Sequence, residues 1–322
     1  MLLPIAQTYW LAIRLRCLLY RHRVLKSTWA GAPTVVIGNV IAGGAGKTPL
    51  VISLVNHSQS RGLKVGVVSR GYGRSSTNCL EVLLDTPVLE SGDEAALIRR
   101  LTGARVFVAQ NRVEAAQALL RIYPETQLIF CDDGLQHYAL ARDLEIAVFD
   151  NRGIGNGWLM PAGPLREPWP ARRDQGIDLI LHTGNRPAFE GFTSSRTLEE
   201  YALSRDGSRV PLSELSKRKL TAIAAIANPD VFFAMLRSRG LALERTIALP
   251  DHYSFFDYLP PVSSDDVIIC TEKDAVKLFE RPSMASVCIL AVPLRFSPEP
   301  SFIVAFDSLV MPLISALPSA NG

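Results

Sequence analysis

The chain has 322 residues, of which 48% are hydrophobic and 20% charged. This composition excludes disordered, collagen-like and coiled-coil proteins and predicts a folded α/β protein. At roughly 100–200 residues per domain, the length favours two domains. The five cysteines are scattered and include no CxxC pair, which argues against zinc or thioredoxin-like chemistry and fits a reducing cytosol.

Charge is unevenly distributed along the chain. The formal net charge is +3, but residues 1–30 carry five basic side chains and no acidic one, which leaves 29 basic against 31 acidic residues in the remainder. Because that remainder is close to neutral, the sequence argues against a nucleic-acid-binding surface on the folded part. We therefore expect no nucleic-acid partner, and the sequence gives no sign of a protein partner.

The N-terminal segment, residues 2–19, is mostly apolar, but Arg14 and Arg16 interrupt it. A spanning helix needs about 20 nearly uninterrupted apolar residues, and a secretory signal carries its charges before the apolar stretch. With Tyr9 and Trp10 suited to the headgroup level, the pattern instead predicts an amphipathic helix on an anionic membrane surface. The alternative is a terminal helix packed on the body of the protein.

A glycine-rich loop lies between a predicted buried strand at residues 34–38 and a predicted helix at residues 50–60. In such a loop Lys47 reaches nucleotide phosphates, Thr48 binds Mg²⁺, and backbone N–H groups surround phosphate oxygens. Ile41 stands where the GxxxxGK[ST] pattern has its first glycine, and a turn with an incidental lysine is the alternative. The predicted nucleotide-binding residues are Asn39, Gly43, Gly44, Ala45, Gly46, Lys47, Thr48 and Pro49.

Two further predicted strands end in polar loops. Residues 63–69 lead into a loop with Arg70 and Arg74, and residues 128–131 lead into Asp132 and Asp133. Ligands of open α/β sheets lie beyond the carboxyl ends of the strands, so the arginines are candidates for a phosphate contact, or belong to a plain surface turn. The paired acids are typical of the second metal-binding element of P-loop enzymes and predict a Mg²⁺ role for at least one of them.

Residues 151–173 are rich in glycine and proline, which indicates a functional loop or a rigid connector. There Glu167 is a candidate acid near the metal, and Arg166 a candidate phosphate or substrate contact. Asp93 precedes a predicted helix at residues 95–101, where an acid balances the helix dipole. A lone histidine such as His252 is more often structural than functional.

A second α/β pattern follows the polar stretch at residues 193–218. It consists of a strand at 220–226, a helix at 231–239, a strand at 267–270 and a helix ending near 279. We therefore expect an N-terminal helix over residues 1–28, a P-loop domain over 29–212, for which the resemblance described next implies a kinase, and a smaller α/β domain over 213–322.

The chain contains an ordered series of short motifs. They are GN-x₃-GG-x-GKTP at 38–49, SRGYGR at 69–74, GDE at 92–94, DDGLQH at 132–137, GNG at 155–157, PAGPLREP at 161–168, IANP at 226–229, PDHY at 250–253 and TEKDAVK at 271–277. In this order they resemble the motifs of the tetraacyldisaccharide 4′-kinase family of lipid A biosynthesis, whose members also lack the first Walker glycine.

This resemblance implies that ATP, with Mg²⁺, phosphorylates the 4′-hydroxyl of a tetraacylated glucosamine disaccharide 1-phosphate at the cytoplasmic face of the inner membrane. It implies two α/β/α domains, the first with a P-loop NTPase-like, mostly parallel sheet, and a site in the cleft between them. The residues to which it gives roles are Lys47 and Thr48 in the phosphate loop, Asp132, Asp133 and Glu167 around Mg²⁺, Asp93 and His252 as the catalytic pair, and Arg70, Tyr72, Arg74 and Arg166 as substrate contacts.

Two other classes of protein combine similar features. Membrane-cycling ATPases of the cell-division or plasmid-partition type also join a basic amphipathic helix to a GG-x-GK[ST] loop. They carry a lysine immediately before the glycine pair, whereas this chain has Ala42. A P-loop kinase for a soluble acceptor is the third possibility, which the apolar N-terminal segment disfavours.

Overall fold

The fold is described from a computed structural model over residues 2–170, 176–255 and 267–316. Its strands are β1 (Thr34–Gly38), β2 (Val65–Ser69), β3 (Leu80–Val82), β4 (Arg105–Val108), β5 (Leu128–Asp132), β6 (Leu144–Phe149), β7 (Leu179–His182), β8 (Phe192–Leu198), β9 (Tyr201–Leu203), β10 (Arg209–Pro211), β11 (Leu220–Ala224), β12 (Leu243–Ala248), β13 (Val267–Thr271), β14 (Cys288–Val292) and β15 (Leu294–Pro298). Its helices are α1 (Leu3–Arg21), α2 (Lys47–Ser60), α3 (Val88–Ser91), α4 (Asp93–Thr102), α5 (Arg112–Ile122), α6 (Leu212–Leu215), α7 (Pro229–Ser238), α8 (Glu272–Leu278) and α9 (Pro300–Ser315).

The larger sheet has the strand order β15-β8-β7-β6-β1-β5-β2-β4-β3 and is mostly parallel. Every residue of β1 and β5 is buried, as expected for central parallel strands covered by helices on both faces. These two strands pair in parallel with Ile37 opposite Asp132. The glycine-rich loop and the paired acids therefore leave the sheet at the same edge.

The smaller sheet has the strand order β10-β9-β14-β13-β11-β12, and its four strands β14, β13, β11 and β12 are parallel. Alternate residues of β11 enter different apolar clusters: Ala222 and Ala224 join one, and Ile223 joins the other. Since successive strand residues point to opposite faces, both faces of this sheet are covered. The predicted fold class of mostly parallel α/β sheets with helices is confirmed.

The division of the chain between the two sheets differs from the predicted boundary at residue 212. The short strands β9 and β10 belong to the smaller sheet, whereas β15 pairs antiparallel with β8 in the larger one. Helix α9 then packs on the larger core through Phe302, Phe306 and Val310. Burial of this apolar helix face returns the end of the chain to the first unit, so the chain crosses between the units twice.

Helix α1 is present as expected and lies on the larger unit. Ala6 is buried, and the Tyr9 hydroxyl donates to the backbone oxygen of Arg166 at 3.1 Å. Much of its remaining apolar surface faces solvent. The exposed large apolar side chains of this segment are Leu2, Leu3, Ile5, Trp10, Leu11, Leu15 and Leu18. Within the described ranges, no helix combines the length and apolarity that crossing a membrane requires.

Phe306→Ala should lower the free energy of unfolding by about 3–5 kcal/mol, the usual cost of removing a buried phenyl ring. The ring is 1% exposed and stacks on Phe130 at 6.2 Å between centroids. Val304→Ala on the same helix is the control, because Val304 is 68% exposed, and it should change stability by less than about 0.5 kcal/mol. Urea denaturation of both variants measures the difference. If Phe306→Ala lowers the free energy of unfolding as little as Val304→Ala does, the buried face of α9 does not stabilise the larger core.

Candidate active site

A cavity of about 1240 Å³ lies between the two units and is lined by residues of both. The glycine-rich loop and the ends of β2 and β5 form one wall, and residues around α7 and the start of α8 form the other. The sequence-predicted site residues in its lining are Gly43, Gly44, Ala45, Gly46, Lys47, Thr48, Pro49, Arg70, Tyr72, Asp133, Arg166 and His252. The site therefore lies in the cleft between the units, where the sequence places the candidate nucleotide and acceptor groups.

The glycine-rich loop joins β1 to α2, which begins at Lys47. Gly43 and Gly46 have φ values of +92° and +86°, a region in which side chains with a Cβ are strained. Buried Asn39 closes the loop by donating to the backbone oxygen of Gly43 at 3.0 Å, and its Oδ1 lies 3.4 Å from the ammonium of Lys47. The loop thus presents backbone N–H groups, a helix N-terminus and one lysine to the cavity, an arrangement that binds phosphate.

The two acids after β5 lie in opposite electrostatic environments. Asp133 has a φ of +50°, and its carboxylate lies 3.4 Å from Lys47 Nζ and 3.2 Å from a guanidinium nitrogen of Arg166. Burial alone would raise the pKa of Asp133, but the positive charges of Lys47 and Arg166 outweigh it and lower that pKa. Asp133 is therefore an ionised partner of the phosphate-loop lysine.

Asp132 is fully buried, and neither of its carboxylate oxygens has a hydrogen-bond partner within the described residues. Burial first, and then the negative charges of Glu94 and Asp133, raise the pKa of Asp132 to about 8. A buried carboxyl with no partner is stabilised by a cation. Asp132 is therefore the acid of this pair whose surroundings call for a positive ligand.

Mg²⁺ fits this edge of the sheet. The ion prefers oxygen ligands and is usually held by one or two carboxylates together with substrate phosphates and water. Asp132 supplies two unpaired oxygens, and Thr48 lines the cavity at the start of α2. Three or more His, Cys, Asp or Glu side chains do not converge on a metal position anywhere in the described ranges. The donor set therefore suits a metal shared with phosphate and not an all-protein cage.

Asp93 and His252 are 159 residues apart in sequence and meet in the cleft. The Nδ1 atom of His252 lies 3.0 and 3.1 Å from the two carboxylate oxygens of Asp93. Asp93 comes from the first turn of α4 in the larger unit, whereas His252 follows β12 in the smaller unit with a φ of +62°. The Tyr72 ring stacks beside the imidazole at 4.7 Å between centroids.

Two lysines of α8 add positive charge to this pair. Lys277 Nζ lies 3.2 Å from Asp93 Oδ2, and Lys273 Nζ lies 3.9 Å from the same oxygen and 3.3 Å from His252 Nε2. Burial by itself would raise the pKa of Asp93. The hydrogen bond from His252 and the charges of both lysines outweigh burial and hold the pKa of Asp93 well below its ordinary value. The carboxylate is thus ionised at neutral pH.

Five predicted site residues are absent from the cavity lining: Asn39, Arg74, Asp93, Asp132 and Glu167. Asn39, Asp93 and Asp132 belong to the clusters described above, whereas Arg74 and Glu167 do not. The two terminal guanidinium nitrogens of Arg74 are buried near Cys79 and Glu114, with no hydrogen-bond partner in the part of the chain that the structure describes. Glu167 accepts a hydrogen bond from the Tyr138 hydroxyl at 2.7 Å. Burial raises the pKa of Glu167. In this structure neither side chain joins the groups around Lys47 and Asp132.

Sequence reasoning assigned no role to several basic residues of the cleft, among them Lys273, Lys277 and Arg196. The two lysines lie within the TEKDAVK motif, four residues apart, which on a helix places them on one face. That spacing was the available signal for a paired cationic contact. Arg196 lies on β8 within a polar stretch that gave no signal for a cavity wall.

The fold and the cleft together define a class of protein. A phosphate-binding loop between a central parallel strand and a helix, with an acidic strand end beside it, is the nucleotide site of P-loop enzymes. His252 lines the same cavity and contacts the buried carboxylate of Asp93 just behind the lining. An acid–base pair beside a phosphate loop is typical of phosphotransferases with a hydroxyl acceptor.

The chain belongs to the tetraacyldisaccharide-1-P 4′-kinase family, whose model matches residues 1–310. The tetraacyldisaccharide 4′-kinase of Polaromonas sp. strain JS666 is 60% identical over 322 residues, covering 100% of this chain and 95% of that protein. The one of Acidovorax sp. strain JS42 is 48% identical over 315 residues, covering 97% and 91%. The resemblance inferred from the motifs is confirmed.

A solved structure supports the same assignment. The crystal structure of LpxK from Aquifex aeolicus in complex with ATP aligns with a TM-score of 0.82 at 27% sequence identity. The alignment covers 97% of this chain and 98% of that chain. Both units described above therefore have counterparts in a solved protein of this family.

Asp132→Asn should make the folded protein more stable at pH 8 in metal-free buffer. Because folding raises the pKa of Asp132 to about 8 from an unfolded value of about 3.9, the unfolded chain releases this proton first as pH rises. Wild-type stability then falls between about pH 4 and pH 8, by at most about 1.4 kcal/mol per pH unit. Asparagine does not titrate, so the stability of the variant does not fall with pH through this group.

Urea denaturation in EDTA between about pH 5 and pH 8 checks this expectation. Asp85→Asn, a substitution at an exposed carboxylate, is the control for a general effect of charge. The unfolding free energies of wild type and Asp132→Asn should diverge as pH rises. Parallel curves would contradict the raised pKa of Asp132.

Proposed function

We propose that this protein transfers the γ-phosphate of ATP to the 4′-hydroxyl of a tetraacylated glucosamine disaccharide 1-phosphate and so forms the bisphosphorylated lipid A precursor. The observation that carries the proposal is the 3.0 Å contact between buried Asp93 and His252, which lines the same cavity as the phosphate loop. The relatives named as tetraacyldisaccharide 4′-kinases supply the acceptor class. A phosphate loop alone would fit any nucleotide hydrolase, whereas a paired acid and base beside it fits transfer to a hydroxyl.

The phosphate loop and Lys47 bind and orient the nucleotide. Backbone N–H groups of residues 43–48 surround the phosphates, and the Lys47 ammonium offsets charge on the transferred group. Lys47 is held in position by Asn39 and Asp133. Mg²⁺ bound by Asp132 and Thr48 would supply further charge neutralisation on the phosphate oxygens. Arg166 orients Asp133 and, with Arg70 and Tyr72, faces the acceptor side of the cavity.

Asp93 accepts the proton of the acceptor hydroxyl. Its low pKa is compatible with this role because phosphoryl transfer has a loose transition state, in which the hydroxyl keeps its proton until bonding to phosphorus is advanced. Before that point Asp93 orients the hydroxyl by accepting its hydrogen bond. His252, by donating from Nδ1, holds the carboxylate toward the acceptor. Because the two residues belong to different units, the pair assembles where the cleft closes, which excludes water from the γ-phosphate.

We further propose that α1 holds the enzyme on the cytoplasmic face of the inner membrane as a peripheral or monotopic helix. An acylated acceptor resides in a bilayer, and α1 presents exposed leucines with a basic cluster at residues 14–26 that carries no acidic residue. Arg14 lies over the Trp10 ring at 4.7 Å, a pairing suited to the headgroup level. The hydrogen bond from Tyr9 to the backbone of Arg166 joins this helix to the acceptor side of the cavity.

The two alternative functions lack a supporting contact. A membrane-cycling ATPase would present a second lysine at position 42, but that residue is Ala42. A kinase for a soluble acceptor does not account for an exposed apolar helix bonded to the cavity wall. Transfer of labelled γ-phosphate from ATP to a tetraacyl disaccharide 1-phosphate in micelles, compared with its deacylated analogue, separates these functions. Equal or preferential use of the soluble analogue would overturn the proposed acceptor.

In that assay, Asp93→Asn and His252→Gln should each lower kcat by about 10²–10⁴, the usual contribution of a positioned acid–base group. ATP affinity should change little, because neither side chain lies in the phosphate loop. The double variant should lose far less than the product of the two single losses, since the pair acts as one unit. Thermal melting of the same samples is the control. If Asp93→Asn lowers the melting temperature but leaves kcat unchanged, Asp93 has a structural role and not a catalytic one.

Replacing Leu11 and Leu15 together by Glu should lower binding to phosphatidylglycerol vesicles by at least about tenfold, since burial of one leucine contributes about 1.5–3 kcal/mol. These side chains are 62% and 57% exposed, so the melting temperature should not change. Leu84→Glu, at another exposed leucine, is the matched control. Vesicle sedimentation measures binding. If the Leu11/Leu15 double variant sediments with the vesicles as well as wild type and the Leu84→Glu control do, α1 is not the membrane contact.

A further inference from the structure

Arg196 is a cation in the cavity wall with few partners. The only hydrogen bond of its side chain in the described part of the chain runs from Nη2 to the backbone oxygen of Ala45 at 3.4 Å, which is long for such a bond. Nε has no hydrogen-bond partner there, and no described carboxylate lies within 4.0 Å of the guanidinium. Burial lowers the pKa of Arg196, while the charge of Asp150 partly offsets that effect. A guanidinium in such a place lacks a counter-ion.

The neighbouring arginine shows the contrast. Arg152 also contacts the phosphate loop, donating to the backbone oxygens of Ala42 at 3.1 Å and Gly44 at 3.2 Å. It forms a close ion pair with Asp150 at 2.8 Å. Arg152 therefore uses its donors on the protein, whereas Arg196, on the cavity side of the same loop, has donors left for a ligand.

The position of Arg196 indicates the kind of ligand. Its Nη2 lies against Gly46, where a Cβ would collide with it, so only a glycine allows the guanidinium to come so close to the loop. Gly46 immediately precedes Lys47, and in phosphate loops this part of the backbone faces the phosphates of the nucleotide. The Phe296 ring, at 5.9 Å from the guanidinium carbon, supports the side chain from β15.

We propose that Arg196 binds a phosphate oxygen of the nucleotide. The inference rests on the proposed function, because it takes the phosphate loop to be the ATP site. Arg196 supplies the phosphates with a planar, charged donor from β8, the strand that leads into the smaller unit. Nucleotide binding then links the phosphate loop to the strand that connects the two units.

The test uses Arg196→Met in the full chain, with Arg152→Met as the matched control. Loss of a charged donor to phosphate should weaken binding of ADP and of inorganic pyrophosphate by about 10–100-fold. Since Arg196 lacks a counter-ion, the melting temperature without ligand should stay the same or rise. Arg152→Met should instead lower that melting temperature, because its bonds to the loop are lost. Arg196→Lys should recover part of the affinity, because it keeps the charge without the planar fork.

Isothermal titration and thermal melting distinguish the outcomes. ADP and pyrophosphate affinities within about twofold of wild type would overturn the proposal. Weaker ADP binding with unchanged pyrophosphate binding would also overturn it, since Arg196 would then contact the base. A drop in ligand-free melting temperature equal to that of Arg152→Met would make Arg196 a support of the loop. A Lys47→Ala variant tests the phosphate-loop nucleotide site separately from the proposed contact of Arg196. If Lys47→Ala leaves the ADP affinity unchanged, the nucleotide does not bind at the phosphate loop, whatever the result for Arg196.

Discussion

The buried carboxylate of Asp93 is the interaction on which the cleft depends. Asp93 belongs to the larger unit, and the donors around it, His252, Lys273 and Lys277, all belong to the smaller one. An ionised carboxylate removed from water costs several kcal/mol unless partners compensate for it. With the units apart, Asp93 would be hydrated and unpaired with these groups. The same charge therefore holds the two units together and, under the proposed function, positions the proton acceptor, so that catalytic geometry and domain closure would be one event.

The backbone also holds the two units together. The chain crosses between units twice through the antiparallel pair β8 and β15, which aligns Leu198 with Leu294. The units also approach closely at the phosphate loop, where a Cβ at Gly44 would lie 2.8 Å from the Cβ of Ala227. A side chain at position 44 would separate the loop from the smaller unit. That glycine therefore serves packing between units as well as access to phosphate.

The central strands were predictable because their signal is local. Strand β1 was predicted at its observed bounds, and β5 to within a residue, from continuous apolar runs. Strand β8 was not predicted, because its half-exposed polar residues resemble a loop in sequence. They form a strand by pairing with β15, about a hundred residues later in the chain. Within the site, the loop chemistry of Lys47 could be derived from spacing. The meeting of Asp93 with His252, 159 positions apart, could not be derived from spacing and was expected only from the family resemblance, because tertiary structure alone joins the two residues.

Adjacent acids in the site show how backbone geometry separates chemical roles. The positive φ of Asp133 turns its carboxylate toward Lys47 and Arg166, while Asp132, the last residue of β5, stays in the sheet without a partner in the described residues. Among the described residues, one buried carboxyl beside the cleft, that of Asp132, has no partner, and one guanidinium in the cleft wall, that of Arg196, has no close counter-ion. A magnesium-bound polyphosphate carries both charges in one ligand. Under the two proposals, free nucleotide or free metal would satisfy only one of the two groups, so we expect the cleft to bind the complex more tightly than either component.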